Sequence, residues 1–242
     1  MEIPEHHIVD TAQTQLYPLA SDRQDLGYRL ANALSYTVNP LISPAALFGI
    51  VLVYCGVPMP RVASAVLLVF FFFGLVPLGY IGWLIRRRQV GSVEVRFRQH
   101  RTRPFLVTIA SSLAAALAVP FATPSVSTLT ASLILCFALN TSLAALVNAR
   151  WKISIHLLSI AGCLSILLYF AYPPLPLGVT PVILLGPPLL ACIALLVIAL
   201  MWARVRVHAH TPAQVTAGAC VGLVLPYLEL FFLYRSGILP GI

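Results

Sequence analysis

Three short polar stretches carry most of the side chains in this 242-residue chain that could do chemistry. They are RRRQVGSVEVRFRQHRTR at 86 to 103, ARWKISIH at 149 to 156 and ARVRVHAHTPAQ at 203 to 214. The third packs two arginines and two histidines into twelve residues between long apolar runs. Guanidinium groups give planar, bidentate, permanently charged recognition of phosphate oxygens, and histidine can serve as nucleophile or acid near neutral pH. That pairing suits the binding and transfer of a phosphate. Carboxylate chemistry is poorly supplied. Five of the seven Asp and Glu lie in the first 25 residues, leaving only Glu94 and Glu229. Two-carboxylate hydrolysis, di-metal carboxylate centres and calcium loops are therefore poorly supported, and no metal site or cofactor is expected.

The elements that position these stretches are membrane helices. With 60% hydrophobic and 9% charged residues and a mean hydropathy of +0.93, the chain lies far from the soluble average of roughly a quarter charged. Runs such as Val62 to Ile85 are apolar on both faces, which a barrel strand of alternating character is not. The expected fold class is all-α, a polytopic transmembrane bundle of about 6–7 spans. Candidate spans are 41 to 57, 62 to 85, 104 to 122, 126 to 148, 153 to 172, 180 to 202 and 211 to 234. Residues 1 to 40 read as an amphipathic segment at the membrane interface, with Leu26, Leu30, Ala33 and Leu34 at helical spacing. Residues 41 to 242 form a single transmembrane domain. The five cysteines sit singly inside apolar runs and read as small packing residues. Glu229, inside the last run, is a functional candidate because a carboxylate within a span is rarely idle.

Seven spans put the N-terminus and all three polar stretches on one face. Thirteen of the fifteen Lys and Arg lie on that face, with only Arg61 and Arg235 opposite. Setting aside Arg96, Arg103, Lys152 and Arg204 as site candidates still leaves nine against two. The positive-inside rule then makes the site face cytoplasmic.

At this point the motifs resemble those of the type 2 phosphatidic acid phosphatase superfamily. Arg96, six residues, then Arg103-Pro104 is similar to its first motif, which starts with lysine. Ser154-Ile-His156 is similar to the second, usually Pro-Ser-Gly-His. Arg204, five residues, His210, three residues and Gln214 resembles the third, which ends in aspartate. The resemblance covers about residues 96 to 222. It implies an antiparallel helical bundle with a metal-free site at the membrane boundary, working through a phosphohistidine. His210 would be the nucleophile and His156 the acid for the leaving oxygen. Arg96, Arg103 and Arg204 would neutralise the phosphoryl oxygens, Ser154 would donate a further hydrogen bond, and Lys152 would add charge.

Ile153 and Ile155 stand where the family has proline and glycine, and Ala203 where it has serine. Gln214, one helical turn beyond His210, can accept a hydrogen bond from the imidazole but brings no negative charge. The function expected is hydrolysis of a lipid phosphate or diphosphate, preferably polyprenyl and next phosphatidate-like. Expected partners are that lipid and the membrane, not nucleic acid. The alternative is a membrane protein that binds or transports lipid phosphates without turnover.

Overall fold

The computed structural model describes residues 25–95, 97–122, 124, 127–173 and 186–237. Among these residues the chain forms eight helices and no strand. They are α1 (Leu26–Thr37), α2 (Ser43–Tyr54), α3 (Met59–Arg86), α4 (Thr102–Ala122, led in by a tight turn at Arg98–Arg101), α5 (Ser127–Arg150), α6 (Ile155–Ala171), α7 (Pro187–Arg206) and α8 (Pro212–Arg235). Helices α3, α4 with its lead-in turn, α5, α7 and α8 are long and apolar enough to cross a membrane. The all-α expectation therefore holds, with five spans standing on length. Helices α2 and α6, of 12 and 17 residues, fall short of the roughly 20 that a hydrocarbon core requires.

Helix α6 is buried around nearly its whole circumference, as suits a sequence that is apolar on every face. It packs most closely on α8 because Gly218 and Gly222 remove the side chains between them. A Cβ at Gly218 would lie 2.6 Å from the Ser154 carbonyl oxygen, and one at Gly222 would lie 2.5 Å from that of Leu158. Pro226, inside α8, deprives the helix of one N–H. Next to it the ladder is bridged across helices: Tyr227 N donates to Ser165 Oγ at 3.1 Å, and that hydroxyl donates to the Leu223 carbonyl at 2.7 Å. In α3 the run Phe70–Leu75 is wound as a π-helix just ahead of Pro77, whose missing N–H cannot continue the ordinary pattern. There Phe73 is buried and stacks on Phe137 at 4.2 Å, while Phe71 faces outward.

Helix α1 starts at Asp25, whose carboxylate accepts from Tyr28 N at 3.0 Å and pairs with Arg206 at the end of α7. Tyr28, Ala31 and Ser35 are buried, whereas Leu26 and Leu30 are 67% and 57% exposed. An apolar stripe pointing outward is the arrangement of a helix laid in the membrane interface. Cys136 and Cys163 are buried as packing residues, but Cys192 and Cys220 lie on outward faces, where lipid accepts a small apolar side chain.

Candidate functional site

The three polar stretches meet at one end of the bundle through direct bonds. Arg98 Nη1 donates to the Ala149 carbonyl at 2.8 Å, and Asn148 Nδ2 to the Arg98 carbonyl at 3.0 Å. Arg101 Nη1 reaches the Ile153 carbonyl at 3.3 Å, and Lys152 Nζ the Ala209 carbonyl at 2.7 Å. The chain's three tryptophans, Trp83, Trp151 and Trp202, each sit within a few residues of a helix terminus at this end and are 46%, 42% and 49% exposed. Such a belt marks the level of the membrane–water boundary.

His210 owes its place to the turn between α7 and α8. The Arg204 carbonyl accepts from both Ala209 N at 3.1 Å and His210 N at 3.3 Å, folding the chain back over the end of α7. His208 takes the left-handed conformation, φ 54°, that this reversal needs. Thr211 then caps α8 in a reciprocal box with Gln214. This box fixes the His210 proton. Thr211 N–H can only donate, so the Gln214 atom 3.3 Å away is its oxygen, Oε1. The same Oε1 lies 3.0 Å from His210 Nδ1, which must therefore carry a hydrogen and donate. Nε2 is left with the lone pair. Burial first, then the positive charges of Arg101, Lys152 and Arg204, hold the imidazole well below the usual histidine range, against a weaker opposing effect of Gln214.

Arg204 is 1% exposed. Its Nη1 pairs with Glu94 Oε1 at 2.6 Å, and its Nε has no hydrogen-bond partner. Arg101, 5% exposed, is held by donation from Nε to the Val95 carbonyl at 2.8 Å as well as by its bond to Ile153. Lys152 is buried beside His210. His156 occupies the first turn of α6, close to the backbone of Ser35 in α1. Ser154 is fully buried with its Oγ unpartnered, and its N donates to the Gln214 carbonyl at 3.4 Å.

A cavity of about 190 Å³ brings His156, Arg204 and His210 together with Arg101 and Glu94. The same cavity is lined by the apolar Leu47, Phe48, Leu133, Phe137 and Ile166, together with Asn140 and Pro226. Charged and apolar walls thus meet in one cavity. Glu229 is not on its wall but holds Asn140 Nδ2 at 2.8 Å.

Of the residues expected from spacing, His156, Arg204 and His210 line this cavity, with Gln214, Lys152 and Ser154 packed around them. Arg103 is exposed and outside it. Arg96 lies outside the described residues. Arg101 lines the cavity instead: it closes the lead-in turn and is held by the Val95 and Ile153 carbonyls, whereas Arg103, in the first turn of α4, is exposed. Glu94 was the other omission. Its signal was its isolation as one of two carboxylates beyond residue 25. No family model, curated protein or solved structure matches this chain.

Proposed function

We propose that this chain is a membrane phosphatase that hydrolyses a lipid phosphate or diphosphate through a phosphohistidine. The observation that carries the reading is the Gln214–His210 pair: a buried, neutral imidazole with its Nδ1 proton fixed and Nε2 free, in a cavity walled by Arg101 and Arg204. Nε2 attacks phosphorus, and the bond from phosphorus to the lipid oxygen breaks as a proton brought in on the bound phosphomonoester passes through His156 to that oxygen. Water then attacks the phosphohistidine, releasing inorganic phosphate and restoring His210. Arg204 and Arg101 neutralise charge on the phosphoryl oxygens, an interaction strengthened in a water-poor site; Arg101 fills the part that motif spacing gave to Arg103. Two guanidiniums facing the cavity disfavour a divalent cation there.

The apolar part of the cavity wall supports a long hydrocarbon tail, with polyprenyl phosphates or diphosphates preferred and phosphatidate-like lipids next. The excess of basic residues at the site end supports a cytoplasmic orientation. Labelling of a cysteine placed beside Arg98 from one side only of sealed vesicles tests it, and exclusively external labelling refutes it. Binding of lipid phosphate without turnover is the second reading, favoured by the uncharged Gln214 at the place of an orienting carboxylate. Phosphate release from farnesyl and longer prenyl diphosphates, in detergent with chelator, separates the two. Release by the wild type and its loss in His210→Ala is the expected result. Equal release from both proteins removes His210 as nucleophile, and tight binding without release selects the second reading.

A further inference from the structure

Glu94 is the one carboxylate in the cavity among the described residues. It sits on the segment between α3 and α4, and its Oε1 is bonded to the buried Arg204 at 2.6 Å, where the side chains are 10% and 2% exposed. Glu94 also lies within the field of Arg101. The next residue, Val95, has φ 35°, a conformation that a β-branched residue rarely adopts, and Arg101 Nε is bonded to its carbonyl at 2.8 Å. The two cavity arginines therefore hold this segment from both sides of the Glu94–Val95 peptide. A carboxylate that meets a guanidinium in this way occupies the position a phosphate oxygen would take.

We propose that Glu94 is the site's resident anion: it occupies Arg204 until an incoming phosphate displaces it, and so sets the affinity a lipid headgroup must exceed to enter. This rests on the phosphate site proposed above. A site at headgroup level is surrounded by phosphodiester lipids, whose phosphate groups each carry one negative charge. Such a monoanion exchanges one ion pair for another and gains little. A phosphomonoester, dianionic above its second pKa of about 6, brings a further charge to Arg101. Competition from Glu94 weakens both classes by the same factor, leaving the diester below the threshold and the monoester above it.

The test uses the full chain in detergent at pH 8, with dodecyl phosphate and its methyl diester as ligands and calorimetry as readout. All proteins carry His210→Ala so that binding is read without turnover. Adding Glu94→Gln, which keeps the shape, and separately Glu94→Ala, is expected to tighten both ligands by about tenfold or more, equivalent to about 1.4 kcal/mol. The diester, weak in the parent, becomes measurable. With His210 intact, phosphatidylglycerol in mixed micelles should inhibit phosphate release by the Glu94→Gln protein and not by the wild type. Unchanged or weaker binding in both variants overturns the proposal and makes Glu94 a group that positions Arg204. Failure of the parent to bind dodecyl phosphate overturns it too. Tightening in proteins that show no turnover with His210 intact leaves this inference standing while the phosphatase reading falls; turnover with affinities indifferent to Glu94 does the reverse.

Discussion

Gln214→Glu separates tautomer control from charge at the proposed nucleophile, His210. Oε1 of Gln214 accepts from His210 Nδ1 at 3.0 Å and from Thr211 N at 3.3 Å. Glutamate has the same shape and can keep both bonds, since both partners are donors. It adds a full negative charge beside the ring. At an effective dielectric of about 20, charges about 4 Å apart interact by about 4 kcal/mol, and opposite charges this close shift a pKa by about 1–3 units. Gln214 is half-buried, so the lower part of that range applies. A rise in the His210 pKa makes Nε2 a better nucleophile, and turnover should increase about three- to tenfold where chemistry limits the rate. Gln214→Leu acts in the opposite sense. It strips the acceptor from two donors, a loss of about 1–3 kcal/mol for each buried one, and lets the ring adopt the Nε2–H form that cannot attack. A decrease of about 10- to 1000-fold follows. Thr211→Ala removes the hydroxyl that accepts from Gln214 N at 3.4 Å yet leaves both Oε1 bonds in place. It should lower helix stability by about 1 kcal/mol with turnover near wild type. Initial rates of phosphate release, with folded protein quantified by thermal unfolding in detergent, read all three variants. A Gln214→Glu protein that folds but is more than tenfold slower, or a Gln214→Leu protein of normal activity, refutes the tautomer argument.

Arg101→Ala should reduce kcat/KM by about 100-fold or more, since it removes a buried cavity cation of the kind that supplies about 3 kcal/mol to a transition state; the exposed Arg103, changed to alanine, should stay within about twofold. The reverse ranking in steady-state kinetics would restore the assignment by motif spacing. Gly222→Ala places a Cβ 2.5 Å from the Leu158 carbonyl oxygen and 3.0 Å from Ala161 Cβ, forcing α6 and α8 apart at a cost of about 1–3 kcal/mol. Thermal unfolding in detergent should show that loss, and turnover should fall as His156 and His210 separate. Gly82→Ala, with nothing within 4 Å of the new Cβ, should do neither. Burial and nearby cations disfavour the His210 imidazolium, so its proton leaves at lower pH than the ordinary 6.5. The acid limb of kcat/KM assigned to His210 should therefore lie below 6.5 in the wild type and move upward in Gln214→Glu.

Much of this was legible because membrane helices advertise themselves. The long apolar runs and the charged turns between them forecast both the helices and the end at which Arg204, His156 and His210 meet. The position of Gln214 one helical turn beyond His210 likewise allowed the bond between them, whereas the capping box of Thr211 with Gln214 is a finding of the structure. Arg101 was not legible. Where a helix begins within RQHRTRP decides which arginine faces inward, and the lead-in turn at Arg98–Arg101 is a tertiary outcome, fixed by acceptors at Val95 and Ile153 that no local pattern reveals. Glu94 was hidden for a related reason, as its partner lies 110 residues away on α7.

The close crossing of α6 and α8 explains how a site assembled from helix ends is held to fixed geometry. Ser154 and His156 begin α6, and Gln214 begins α8, so any slide of one helix along the other changes the distance from His156 to His210. Gly218 and Gly222 resist such a slide, since they let the Ser154 and Leu158 carbonyls enter the surface of α8 as pegs. The Ser154 N to Gln214 carbonyl bond, 3.4 Å long, ties the two termini at the site itself. The same Gln214 thus joins α6 through its backbone and His210 through its side chain. Displacements of about 1 Å can cost about 100-fold in rate, so the glycines, one and two turns beyond Gln214, would act on the proposed reaction through its position.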